Sequence, residues 1–319
     1  MAPRRDVQTL VKVATMYYAE GQNQSAIAKS LGISTSSISR ILAQARDDGL
    51  VTVIIRDPSK AVERRTDLEN ALVKEFGLRR AWVAAIGPGS RSLDEVGRLA
   101  AEVFAEYTAQ VRSVGLSWGR TVRAFVQSVR DQPTSLPLEL YPLSGGMSDQ
   151  DANLSGNAVV QELAGRCGGH AHRIDAPAIV QSARTGKAML DEPVVARALE
   201  AAQDCDLAIV GVGSMGVHWS AGLVRSMRLD PEQLEQVRAA GIAGDVCGRF
   251  INDDGKPVLT PADDHVIGLT FEQLSHIERV MGIVSGAEKS RGAAAALRSG
   301  ILTGIVLDEN LAEVVLSAS

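Results

Sequence analysis

The chain has 319 residues, 45% of them hydrophobic and 4% aromatic, which is enough for one large core or for a small domain beside a larger one. A net charge of −5 and a pI of about 5.6 exclude a chain that is basic throughout. Cys167, Cys205 and Cys247 form no close pair, which excludes a disulfide framework and a cysteine zinc site and fits a reducing cytosol.

No apolar run reaches the roughly 18 residues of a membrane span. Arg4 and Arg5 precede an apolar stretch, but Lys12 and Glu20 interrupt it, so it does not read as a signal peptide. The expectation is a cytoplasmic protein that needs no membrane, metal or cofactor. Charge is uneven along the chain. Residues 1–60 hold eight basic side chains and five acidic ones, so a basic head precedes an acidic remainder. That asymmetry points to a nucleic-acid contact at one end.

Residues 6–19 place Val7, Leu10, Val11, Ala14 and Tyr17/Tyr18 at helical spacing, and Gly21 stops that helix. The stretch "QSAIAKSLGISTSSISRILAQARDDGLV" then sets Ala28, Gly32, Ile38 and Ile41 at the spacing of a helix-turn-helix. A small residue lets two helices cross closely, and glycine allows the left-handed turn between them. Leu31 and Ile33 flank the turn and are expected to be buried. Ser34 is a natural N-cap for a second helix running to about Asp48. Its first turns expose Thr35, Ser36, Ser37, Ser39 and Arg40, and Gln24 opens the helix before it. Short hydroxyls and one arginine suit the DNA major groove, where arginine can bind guanine through two hydrogen bonds. Gln24, Ser34, Thr35, Ser36, Ser37 and Arg40 are therefore the candidate DNA contacts. "GLVTVIIRDP" reads as a wing strand, with Arg56 and Lys60 either at phosphate or simply solvated.

Pro58 ends the head. Residues 59–76 read as a charged amphipathic helix with an apolar stripe of Val62, Leu68, Leu72, Val73 and Phe76. The stripe packs on its own body or pairs with a second subunit. One helix-turn-helix reads half a site, so a homo-oligomer is expected. The domains read as 1–57, a winged helix-turn-helix; 58–78, a linker helix; and 79–319, an effector-binding and oligomerisation domain.

From Ala81 onward strand-like and helix-like runs alternate. "AWVAAI", "VRSVGLSW", "LELYPLSGG", "HRIDAPAIV", "CDLAIVGVGS", "ERVMGIVSG" and "ILTGIVLD" are the strand candidates, and the helices that follow include 93–108, 119–129, 158–167, 193–203 and 288–298. This predicts an α/β fold with a doubly wound, mostly parallel sheet, whose ligands bind at the carboxyl ends of the strands. Three glycine-rich loops fall there: "GLSWGRT" (115–121), "LSGG" (143–146) and "GVGS" (211–214). Gly119, Arg120 and Thr121 end a strand and open a helix, where backbone N–H groups, a hydroxyl and a guanidinium can hold a phosphate. Lys289 opens the penultimate helix, an unfavourable place for a cation unless it faces an anion. Asp245 can accept sugar hydroxyls.

Gly211-x-Gly213-x-x-Gly216 has the spacing of a dinucleotide fingerprint. However, it lies deep in the body, "VHWSAG" after it has no helix signal, and Asp230 beside Pro231 starts a helix rather than ending a strand. The NAD(P) reading is set aside, and these glycines are expected to let the backbone approach a sugar.

The ordered set of "QSAIAKSLGISTSSISRILAQARDDGLV", "GLSWGRTV", "PLSGG", "IVGVGS", "GDVCGRFINDDG" and "SGAEKSRGAAAALRSG" resembles the SorC/DeoR-type sugar-binding transcriptional regulators over nearly the whole chain. The resemblance implies a body similar to ribose-5-phosphate isomerase and glucosamine-6-phosphate deaminase, used as a sensor of a phosphorylated sugar in a dimer or tetramer. It implies that Ser117, Trp118, Gly119, Arg120 and Thr121 line the phosphate end of the pocket. Asp245 and Lys289 would contact ligand from two further loops, Gly213 would line the strand end, and Ser144, Gly145, Gly146 and the stretch from Ser155 to Asn157 would complete the walls. Arg225 or Arg228 is a further ligand contact whose position the resemblance leaves open, and His218 and Trp219 either stack on a sugar or pack. The alternative is a sugar-phosphate isomerase or deaminase with an accessory head. Isomerisation needs a positioned base. Asp245 is the candidate, while His170, His172, His265 and His276 are scattered along the sequence.

Overall fold

The computed structural model describes residues 6–51, 61–131, 137–147, 153–217 and 220–318, and the chain divides into two compact units, Met1–Pro58 and Ser59–Ser319. The expected wing, with Arg56 and Lys60, lies outside the described residues, as do His218 and Trp219.

In the first unit, α1 (Val7–Ala14) runs on through a π-turn, Thr15–Ala19, before Gly21 at φ 67° reverses the chain. Helix α2 (Gln24–Leu31) is capped by Asn23, whose Oδ1 accepts Ala26 N–H at 2.8 Å. Gly32 at φ 66° ends it, and Ile33 N–H donates back to Ala28 O at 3.1 Å. That six-to-one bond satisfies an orphan carbonyl and needs the left-handed residue that glycine supplies. Helix α3 is Thr35–Asp47. Leu10, Val13, Ile27, Ala28, Ile38, Ile41, Leu42 and Ala45 close a core of their own. Two expectations fail. Ile33 is 38% exposed, because the left-handed turn carries it out past the helix crossing, while Leu31 is half-buried. Val7 and Val11 are also exposed, and α1 is held instead by Leu10, Val13 and Ala14.

In the second unit, α4 (Thr66–Phe76) starts later than its apolar pattern suggests. Residues 63–65 instead run beside the first strand, β1 (Arg80–Ala84): Arg65 N–H donates to Val83 O at 3.0 Å and Ala85 N–H to Glu63 O at 2.8 Å. A sheet edge offers these backbone groups partners that a helix start would not. Leu72 is fully buried, and Leu68, Val73 and Phe76 pack with it, so the stripe covers its own sheet.

The chain continues as α5 (Ser92–Tyr107), β2 (Ser113–Leu116), α6 (Arg120–Ser128), β3 (Glu139–Pro142), α7 (Gly156–Cys167), β4 (His170–Ala171), α8 (Ala183–Asp191), α9 (Pro193–Gln203) and β5 (Leu207–Ser214). It ends as α10 (Ser220–Ser226), α11 (Pro231–Ala239), β6 (Ile242–Val246), β7 (Arg249–Asn252), α12 (Phe271–His276), β8 (Val280–Ile283), α13 (Ser290–Arg298), β9 (Gly304–Asp308) and α14 (Glu309–Ser317). The main sheet runs β1-β9-β8-β5-β2-β3-β4, all parallel, and β6-β7 is an antiparallel hairpin attached to the end of β5.

Successive strand residues point to opposite faces. Leu207 and Ile209 of β5 join the core under α5, α6 and α7, while Ala208, Val210 and Val212 join the core under α4, α9, α13 and α14. Both faces are covered, as a doubly wound sheet requires. Two elements depart from expectation, and a third stretch had no expectation attached. "HRIDAPAIV" gives only the two-residue β4 and then a loop, followed by the unforeseen α8. "GDVCGRFIN" is a hairpin. A helix, α10, follows "VHW" where no helix signal was read.

Candidate functional site

On the first unit, Ser34 caps α3: its Oγ accepts Ser37 N–H at 3.2 Å and lies 2.9 Å from the hydroxyls of both Ser36 and Ser37. Thr35, Ser36, Ser39 and Arg40 are exposed, Gln24 and Ser37 half-buried. Arg40 Nε donates to Ser36 O at 3.3 Å, which lays the guanidinium along the hydroxyl face of the helix. Ile38, Ile41 and Leu42, on the opposite side, fix that face outward by filling the core. The result is an outward-facing row of hydroxyls and one arginine at the amino end of the second helix of the helix-turn-helix.

In the second unit, β5 and β2 are neighbours whose onward connections leave in opposite directions, toward β8 and β9 from one and toward β3 and β4 from the other. A crevice opens at the carboxyl ends of such a pair. Ser117, 1% exposed, ties it shut at the base: its N–H donates to Ile209 O at 3.0 Å, and its Oγ accepts Gly211 N–H at 2.9 Å. The Trp118 indole is buried under the β6-β7 hairpin with Phe250 and Val266, and Gly248 lies against its ring. These two residues build the floor of the crevice.

Gly119 adopts φ 120° and donates its N–H to Leu154 O at 3.0 Å, and among the described residues no side chain caps the helix α6 that it starts. The first N–H groups of a helix have no partner within it. Arg120 is exposed beside them and Thr121 is buried. Lys289, half-buried after β8, has its pKa pushed down first by burial and next by the positive charge of Arg120, while Glu288 and Asp245 act the other way. Two cations from different loops thus sit in each other's field, beside an uncapped helix amino end. An anion bound there would relieve the repulsion and complete the helix.

Asp245, 6% exposed, lies on β6 opposite Gly213 of β5, and its Oδ2 accepts Gly248 N–H at 3.2 Å. Gly213 has a closely packed carbonyl. Cβ atoms placed on Gly244 and Gly292 would both run into its carbonyl oxygen, and Gly292 N–H donates to Ser214 Oγ at 3.2 Å. The absence of a side chain at Gly244 and Gly292 lets β6 and α13 seat directly against the Gly213 carbonyl.

The wall residues are committed too. Gly145 and Gly146 admit the backbone of 176–178, with Gly146 N–H donating to Ala176 O at 2.8 Å. The Asn157 amide both donates to Ile174 O and accepts Ile174 N–H, each at 3.0 Å. Ser144 is fully buried, and its Oγ has no partner among the described residues. Of the residues singled out in sequence, then, Gly119, Arg120, Thr121, Asp245 and Lys289 are gathered by three adjacent strand ends. Around them, Ser117 and Trp118 are buried at the end of β2, and Gly145, Gly146 and Asn157 are engaged with residues 174–178. Arg225 and Arg228 are both exposed.

Three of the described histidines have partners or positions elsewhere in the body. His265 is buried with Nδ1 at 2.9 Å from Val180 O, His172 pairs with Glu139 on the sheet edge and stacks on Tyr141, and His276 ends α12. A cavity of about 420 Å³ between α8, β7 and α12 includes none of the gathered residues. Its lining is mostly apolar, and its arginine, Arg249, is spent on the carbonyls of Asp263, Val266, Gly268 and Leu269. The cavity's other cation is the exposed Lys187 of α8. Sequence reasoning missed one buried polar residue beside the gathered loops, Asp308. An aspartate closing an apolar strand and opening a helix, "GIVLDENLAEV", is the pattern that signals it.

Comparison with known proteins adds to this geometry. A family model described as "Putative sugar-binding domain" matches residues 60–317. The chain is 27% identical over 328 residues to the sorbitol operon regulator of Klebsiella pneumoniae, covering 98% of each protein. It is similar to the structure of a DeoR family transcriptional regulator from Listeria monocytogenes, at 30% identity and a TM-score of 0.71, covering 78% of this chain and 98% of that one. It is also similar to the crystal structure of full-length SorC from Klebsiella pneumoniae, at 26% identity and a TM-score of 0.71, covering 98% of this chain and 99% of that one.

Proposed function

The chain belongs to the SorC/DeoR-type sugar-binding transcriptional regulators, and from that premise we propose that it binds operator DNA through α3 and changes its operator affinity when a phosphorylated sugar occupies the crevice between β2 and β5. The protein is a regulator rather than an enzyme. The observation that carries the phosphate reading is the convergence of Arg120 and Lys289 at the uncapped amino end of α6. Phosphate meets three needs there at once: it neutralises two like charges, accepts from the first backbone N–H groups of the helix, and accepts from guanidinium and ammonium. Asp245, a buried carboxylate on the facing hairpin, accepts hydroxyls at the sugar end.

Binding becomes regulation when it shifts an equilibrium between two states of the protein. A coupling free energy of about 1–3 kcal/mol is enough for a switch of some 5- to 150-fold. A single recognition helix covers half a site, so the operator-bound form is a homo-oligomer with its helices on successive half-sites.

The test compares a sugar phosphate with its unphosphorylated parent on the full-length protein. Thermal stabilisation and a change in operator affinity are expected from the phosphate ester alone. Equal effects from the parent sugar would refute the anion site, and turnover of the ester without any change in DNA binding would refute the regulator.

A further inference from the structure

The strand order β1-β9-β8 puts the loop that carries Lys289 two strands away from the place where the chain enters the body, with β9 between them. Two consecutive carboxylates span that gap. Asp308, fully buried at the end of β9, accepts Leu311 N–H through Oδ1 at 3.1 Å and so caps α14. Its Oδ2 accepts Gly286 N–H at 2.8 Å. Gly286, at φ 101°, starts the turn Ala287–Lys289, so this one bond sets where the turn leaves the sheet.

Glu309 faces the other way. Its Oε1 accepts Ile86 N–H at 2.6 Å, just past β1, and its Oε2 receives Arg65 Nη1 at 2.8 Å. Arg65 is the last residue before α4 and belongs to the 63–65 stretch hydrogen-bonded along β1. It is gripped further by Asp67, through two bonds of 3.0 and 2.8 Å. Asp308 and Glu309 are the cap and first residue of the same helix, so they cannot move independently. A shift of Gly286 that tilts the cap of α14 also moves the carboxylate that holds the entry stretch. A rigid element with a defined contact at each end is the kind of structure through which coupling between sites travels.

We propose that Asp308 and Glu309 are positioning residues that link the occupancy of the Lys289 site to the stretch 63–65, through which the chain coming from the helix-turn-helix unit joins the body. The proposal rests on the reading of Lys289 as an anion contact.

Its test is amide hydrogen exchange on the full-length chain, with and without inorganic phosphate, for the native protein and for Glu309→Gln. Glutamine keeps the acceptor for Ile86 N–H and removes the α14 charge nearest Arg65, leaving its contacts with Asp67 and Glu313. In the native protein phosphate is expected to slow exchange at 119–122 and 286–290, and also at Ile86 and 63–67. In Glu309→Gln the first effect persists and the second is lost. Arg65→Gln, which breaks the same contact from the other side, should give the same split. Equal protection of 63–67 in the native protein and both variants would overturn the proposal. So would a native protein protected at 119–122 and 286–290 but never at 63–67. Phosphate that protects neither set would remove the anion site, and this link with it.

Discussion

Replacing Lys289 with alanine separates the cost of the site from its use. In the ligand-free protein the lysine is half-buried, and its pKa is depressed by burial and by Arg120. Removing it takes away a desolvated charge and a like-charge repulsion, so the free variant should be as stable as the native protein or more so. Ligand binding should move the opposite way. A charge-assisted hydrogen bond contributes about 1.5–3 kcal/mol, and each 1.4 kcal/mol is about tenfold in affinity, so the loss is some 10- to 150-fold. Ligand at about 100 times the native Kd stabilises the native protein by about 2.7 kcal/mol. The same concentration is only about ten times the Kd of a tenfold-weakened variant, leaving about 1.4 kcal/mol, and equals the Kd of a 100-fold-weakened one, leaving about 0.4 kcal/mol. Thermal melts with and without a phosphosugar ligand measure both quantities. A variant with native ligand-induced stabilisation would refute the placement of Lys289 in the site. A free variant clearly less stable than the native protein would refute the account of strain between the two cations.

The same lysine predicts a pH dependence. Its folded pKa lies below the ordinary 10.5, so the charged form is lost earlier in the folded state than in the unfolded one. Phosphate favours the charged form, so affinity should weaken as pH rises through the depressed pKa, and Lys289→Arg should flatten the titration; a native affinity that is flat across this range would contradict it. Arg40→Ala should lower specific operator affinity by about 1–3 kcal/mol, the worth of a bidentate base contact, measured by fluorescence anisotropy. Its melting curve and ligand response should be native, and full operator affinity would move the recognition face elsewhere. Gly292→Ala drives a methyl into the Gly213 carbonyl, and overpacking of this kind costs about 1–3 kcal/mol. A melting temperature unchanged by that substitution would show that α13 is free to lift off the sheet.

The helix-turn-helix was legible because its constraints are local. Ala28, Gly32, Ile38 and Ile41 do what their spacing demands within twenty residues. The parallel strands were legible for a related reason: a strand buried on both faces is a continuous apolar run, as in "LAIVGV". The rest shares a cause, since each piece depends on contacts distant in sequence. "GDVCGRFIN" becomes a hairpin because β5 lends it an edge at Val212–Ser214. "HRIDAPAIV" has strand-like residues, yet beyond His172 it turns away to contact 145–146 and 265–267 instead of extending the sheet. For the candidate site, Arg120 and Lys289 stood out because a cation at a helix amino end is anomalous on its own. The polar and glycine residues were harder to sort. Whether a glycine admits a ligand or another piece of backbone is decided by what packs against it, and Gly244 and Gly292 admit the Gly213 carbonyl from some thirty and eighty positions away along the chain.

The division of the chain at Pro58 has a consequence for how such proteins diversify. Among the described residues, the nine side chains buried in the head's core all come from Leu10 to Ala45, and the cores of the body draw on Val62 and beyond. Neither interior borrows a side chain from the other. A recombination event that exchanged everything before residue 59 would carry a finished interior away and leave a finished one behind. New operators and new inducers can therefore be acquired in separate steps. A hybrid gene would need only to preserve the short stretch around Arg65 to remain open to control.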